Sequence, residues 1–149
     1  MPIMNSTTTK QFSFLHNQGE TSQLIRTIDW SNHQLGAVEN WPPSLRTTLS
    51  IIMNSQFPMF LFWGDHYTCF YNDAYLPSLG DEGKHPSAMG QSGKDCWPEI
   101  WESIHPILEQ VKNDKETSFY EDRGLTIFKN DKLENVYRTF CYSPVDDEY

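Results

Sequence analysis

Positive charge is scarce in this chain: 11 Lys and Arg stand against 20 Asp and Glu over 149 residues, a formal net charge of −9. Phosphate backbones are bound by a concentrated basic surface, and no basic run occurs, so nucleic acid is excluded as a partner. Cysteine is scarce as well. Cys69, Cys96 and Cys141 are odd in number and far apart in sequence, which argues against a disulfide framework and a paired-thiol zinc site and fits a reducing cytoplasm. No apolar run approaches the ~20 residues of a membrane span, and no basic-then-apolar leader opens the chain. The segment is therefore expected to be soluble and cytoplasmic and to make no membrane contact of its own, whatever a longer parent protein does. Asp146-Asp147-Glu148 reads as a solvated tail.

Catalytic patterns are missing too. There is no Gly-x-Ser-x-Gly elbow, and Gly90-Gln91-Ser92-Gly93 is only a turn. His16, His33, His66 and His85 show no i, i+4 pairing, and adjacent carboxylates such as Glu121-Asp122 point to opposite faces of a strand. Neither a catalytic residue nor a metal ligand is assigned, and the chain is not expected to be an enzyme.

Aromatics, at 14%, are abundant. They concentrate in Phe57–Tyr75, where two apolar runs flank Gly64-Asp65 and predict a β-hairpin, with Asn72-Asp73 capping whatever helix follows. Before it, residues 1–19 are polar and Thr-rich and are read as a flexible leader. Residues 20–56 are read as an amino-terminal helical cap: one helix over Glu20–Trp30 carries Leu24, Ile25 and Ile28, and a second, started by Pro42-Pro43, carries a stripe of Leu45, Leu49, Ile52 and Met53. After it, Pro77, Gly80, Gly83, Pro86, Gly90 and Gly93 keep the chain irregular to Asp95. Pro98 suits the first position of a long helix reaching Asn113, and a second hairpin is predicted from Phe119–Phe128 and Leu133–Ser143.

This order resembles a PAS domain, a sensory module of signalling proteins. The likeness extends to Asn40-Trp41-Pro42-Pro43-Ser44-Leu45-Arg46, Phe57-Pro58-Met59-Phe60, Tyr71-Asn72-Asp73-Ala74-Tyr75, Lys84-His85-Pro86, Trp97-Pro98-Glu99-Ile100-Trp101 and Tyr142-Ser143-Pro144, which together are similar to a PAS subgroup at the amino-terminal end of bacterial sensor histidine kinases. The resemblance covers about Glu20 to the last residue. It implies an α+β fold whose core, residues 57–149, is an antiparallel sheet flanked by helices. It also implies a fifth, central strand, for which these residues leave no room, so the core is expected to be truncated at its carboxyl end and to self-associate through unpaired strand edges.

The kinase machinery itself is absent, so the implied role is sensing and two-component signal transduction, with the kinase domains of a parent chain as partners. A pocket between sheet and helix would be lined by Phe60, Phe62, Tyr71, Asn72, Trp97, Trp101, Ile104, Tyr137, Thr139 and Cys141 and would take an unidentified small molecule. Plain core packing, or a cap in the case of Asn72, explains each of these singly as well. No cofactor is expected: Lys94-Asp95-Cys96-Trp97-Pro98-Glu99 shares only Cys96 with the flavin-binding relatives, and His105, near the haem-ligand position of others, has Pro106 beside it. The alternatives are a stand-alone small-molecule-binding domain and a minor enzyme with an aromatic pocket.

Overall fold

The structure, a computed structural model, describes residues 11–16, 19–80, 83–129 and 132–145, with the backbone alone described from 118 to 141. The helices are α1 (Glu20–Thr27), α2 (Pro43–Asn54), α3 (Leu76–Leu79), α4 (Gly93–Cys96) and α5 (Trp101–Asp114), and the strands are β1 (Phe60–Trp63), β2 (Thr68–Tyr71), β3 (Ser118–Lys129) and β4 (Lys132–Tyr142). The class is α+β, as expected.

Both predicted hairpins form. β1 pairs with β2 and β3 with β4, as two separate two-stranded sheets, and among the described residues no ladder joins them. β3 and β4 run antiparallel from Ser118 opposite Tyr142 to Lys129 opposite Lys132, with the register shifting between Tyr120 and Arg123.

The chain divides into two compact units. The first unit takes the described residues up to Leu61 and adds Phe70–Leu76, whereas the second takes Phe62–Cys69 and the described residues from Pro77 onward. Each strand of the opening hairpin thus contributes to both units.

Three rings organise the first unit. Trp30, Trp41 and Phe70 meet with centroids 4.9 Å (Trp30–Trp41), 5.6 Å (Trp30–Phe70) and 5.8 Å (Trp41–Phe70) apart, in the edge and offset arrangements that aromatic quadrupoles favour. Both indoles are satisfied: Trp30 Nε1 donates to the Ile25 carbonyl at 2.9 Å and Trp41 Nε1 to that of Gly36 at 3.0 Å. The supposed leader reaches this core, since Phe12, Phe14 and Leu15 are buried and Phe14 lies 6.1 Å from Trp41. Three apolar side chains within four positions can bury enough surface to hold a polar segment down, which corrects that reading for residues 12–15.

α2 starts on Pro43 and buries Leu45, Leu49, Ile52 and Met53, the stripe read from the sequence. α1 is shorter than predicted and ends at Thr27, with Ile28 already extended. Thr21, Ser22 and Ile25 are its buried residues, rather than Leu24 and Ile28. Its amino-terminal amides have no cap from Gly19, and Asp73 supplies one from across the chain. The Asp73 carboxylate accepts from the Glu20 and Thr21 amides (3.1 and 2.8 Å) and from the Thr21 hydroxyl (2.5 Å). Residue 19 must be glycine for this, because a Cβ there would collide with that carboxylate.

Asn72 is the other fixed point of this unit and is fully buried. Its Nδ2 donates to the carbonyls of Ile52 (3.0 Å), Phe57 (2.8 Å) and, at longer range, Ser55 (3.4 Å). Its Oδ1 accepts from the amides of Met59 and Tyr75, both at 3.1 Å. One amide side chain therefore ties the end of α2, the approach to β1 and the single 3-10 turn Asp73–Tyr75 that precedes α3.

In the second unit the hairpin turn occupies four residues, Gly64 to Tyr67, instead of the two expected, closed by the Tyr67 amide donating to the Gly64 carbonyl at 3.1 Å. Tyr67 holds the left-handed conformation, φ 51°. α4 is capped by Ser92, whose hydroxyl accepts from the Asp95 amide at 3.2 Å. The long helix begins at Trp101 rather than at Pro98. Trp97 ends α4, its amide bound to the Gly93 carbonyl at 2.9 Å, so Pro98 falls in the turn between two helices. α5 buries Ile104, Ile107, Leu108 and Val111, while Pro106, which can make no amide bond to the Glu102 carbonyl, stands on the exposed side.

Candidate functional site

The segment between β2 and α4 carries so many glycines and prolines that it cannot form a long helix, and in the second unit it folds back on the hairpin. Cys69 anchors it: its amide donates to the Gln91 carbonyl at 2.9 Å and its carbonyl accepts from the Gly90 amide at 2.8 Å. The Gly93 amide donates to the His66 carbonyl at 3.3 Å. Gly93 is forced by space here, because a Cβ would lie 2.8 Å from the Trp101 ring and 3.0 Å from Tyr67 Cβ.

Against this frame lies a cleft of about 240 Å³, lined by Gly83, Lys84, Ser87, Gln91, Asp95, Cys96, Pro98 and Glu99. Lys84 is its central charge, with a side chain only 9% exposed. Its Nζ lies 2.9 Å from Glu99 Oε1, donates to the Cys96 carbonyl at 2.6 Å and stands 4.8 Å from the centre of the Trp97 ring. An ammonium removed from water in this way needs a carboxylate, a carbonyl and an aromatic face together to offset its desolvation. Lys84 is thus held by three partners, and Gln91, Ser87 and Asp95 are further polar residues of the lining.

A second cluster of the same unit surrounds Tyr67. Phe62, Trp101 and His105 all pack on its ring, at 6.3, 5.5 and 5.7 Å. Its hydroxyl donates to Glu109, and burial together with that carboxylate holds the phenol well above its usual range. The same hydrogen bond from Tyr67 draws the Glu109 carboxyl down. His105 stacks on Trp101 at 5.0 Å and reaches Glu109 Oε1 at 3.4 Å. A left-handed Tyr costs conformational energy, and this surround holds it in place.

The pocket candidates read from the sequence divide between the units. In the first, Phe60 stacks on Tyr71 at 5.7 Å and touches Tyr75 at 5.1 Å, while every polar atom of the Asn72 side chain is bound to backbone. In the second, Phe62 and Trp101 meet at Tyr67, Ile104 is buried and Trp97 lies buried under Lys84. Tyr137, Thr139 and Cys141 are on β4, where their side chains lie outside the described residues.

The sequence reading missed Lys84 and Glu99 as a pair. Lys84 and Glu99 sat inside motifs quoted for the resemblance, but 15 positions of irregular chain separate them and no spacing rule connects them.

The fold defines an α+β protein with a polar cleft in its second unit. No protein-family model matches the chain, and neither does any curated protein. Among the described residues no helix is long and apolar enough to cross a membrane, and no three His, Cys, Asp or Glu side chains gather where they could hold a metal.

Proposed function

We propose that this chain is a sensory module of PAS type, from the amino-terminal part of a bacterial sensor histidine kinase. The observation that carries the reading is the succession of helix, hairpin, broken segment, long helix and hairpin, with the resemblance motifs at its joints. Tyr71-Asn72-Asp73-Ala74-Tyr75 stands where β2 gives way to helix, and Trp97-Pro98-Glu99-Ile100-Trp101 stands between α4 and α5. The signal is a small molecule taken without a metal or prosthetic group, and the cleft beside Lys84 is the place for a polar one. The reading frame beyond Tyr149 tests the parent's class. A phosphoacceptor-histidine helix followed by an ATP-binding domain is the expected finding, and a frame leading into an unrelated fold would reject it.

Self-association through strand edges belongs to the same proposal. Among the described residues each strand has one ladder neighbour, and although Gly90 and Gln91 take up the Cys69 backbone on β2, strand edges are where further strands are recruited. Sedimentation should show dimers or larger species. A monodisperse monomer would count against the edges as the route.

A further inference from the structure

Three large apolar side chains of the first unit stand exposed between positions 51 and 59: Ile51 on α2 at 62%, Phe57 at 77% and Met59 at 37%. They project from one knot of backbone. The Asn72 side chain binds the carbonyls of Ile52 (3.0 Å), Ser55 (3.4 Å) and Phe57 (2.8 Å) and the amide of Met59 (3.1 Å), while the Phe57 amide donates to Ser55 Oγ at 3.1 Å. Phe57 is therefore a ring in water on a backbone fixed at both its amide and its carbonyl, and seating it in a contact costs little further ordering of that backbone. The Met59 carbonyl is taken as well, by the Asn72 amide at 3.3 Å, so this surface offers side chains rather than a strand edge. Exposed apolar side chains gathered in this way mark a contact surface.

Charge selects the occupant. Residues 47–64 contain no Asp, Glu, Lys or Arg, the longest such run in a chain whose formal net charge is −9. Two copies of so acidic a chain repel one another, and like charges brought face to face add to that cost. A contact built from this run brings no charge of its own to the interface and strips no ion of water. We propose that a second copy of this chain docks here, the two related by a two-fold axis, with Ile51, Phe57 and Met59 of each buried against the same residues of the other. Two-fold pairing needs only one self-complementary patch, and an apolar, uncharged one complements itself. This route is additional to the strand edges and does not rest on the PAS reading.

The test is sedimentation equilibrium of the full chain as wild type, Phe57→Ser and Ile51→Ser, with the emission of the buried Trp30 and Trp41 reporting whether the first unit stays folded. The wild type should dimerise, and each substitution should raise the dissociation constant about tenfold or more while leaving the emission unchanged. Added salt should tighten the wild-type dimer, because it screens the repulsion between two acidic copies, whereas an interface held by ion pairs would loosen. A wild-type monomer, a dimer that salt weakens, or a dimer of unchanged strength in either variant would overturn the inference. So would a variant whose first unit unfolds, since that side chain would then be serving the fold. Unchanged dimers in both variants would leave the strand edges as the route, and a wild-type monomer would remove both.

Discussion

Replacing Asn72 with Asp is expected to destabilise the first unit by about 4 kcal/mol at neutral pH, among the larger effects a single substitution produces. The substitution changes one atom, yet that atom is the amide nitrogen facing the carbonyls of Ile52, Ser55 and Phe57. A carboxylate oxygen in its place would point a buried charge at three acceptors and leave all three without this donor. The sign of the pH dependence follows. The fold would disfavour the charged form and raise the carboxyl pKa above its unfolded value, so stability should recover as the pH falls and the proton returns a donor. Urea titrations followed by the fluorescence of Trp30 and Trp41 at neutral and acidic pH would measure it. A loss under about 1 kcal/mol, or one that grows on acidification, would show that the Asn72 bonds do not hold this unit together.

Lys84→Met should cost the second unit about 3 kcal/mol, because the methionine keeps the packing of the stem while withdrawing the ammonium from Glu99 and from the Cys96 carbonyl. The Glu99 side chain is 11% exposed, so water replaces little of what is removed. Adding Glu99→Leu to Lys84→Met should restore part of the loss, since the stranded charge goes as well, and the double-mutant cycle gives the coupling. Additive losses would mean that the two side chains do not share their energy.

Local rules served well where neighbours in sequence decide the outcome. The α2 stripe, Pro43 at its start and both hairpins follow from periodicity and turn residues, and those elements formed. Pro98 shows the limit, for it satisfies the rule for a first helical position, but the bond from the Trp97 amide to Gly93 had already closed another helix there. Tyr67 in a left-handed turn and Lys84 beside Glu99 depend on partners far along an irregular chain, which no period encodes. The leader did carry a signal, Phe12, Phe14 and Leu15 in close succession, outweighed in the reading by the polarity around it.

The carboxylate that caps α1 has a bearing on how the chain folds. α1 has eight residues, too few to persist alone in water, and its first amides are bound by Asp73, some fifty positions later and just past the hairpin. The helix therefore gains its cap only after the hairpin has closed and the chain has turned back. Closing so long a loop carries an entropic cost that local helix formation does not, and it places α1 among the late, cooperative events of folding. α1 thereby waits for a later part of the chain, and its amides should gain protection from hydrogen exchange in step with those of β1 and β2.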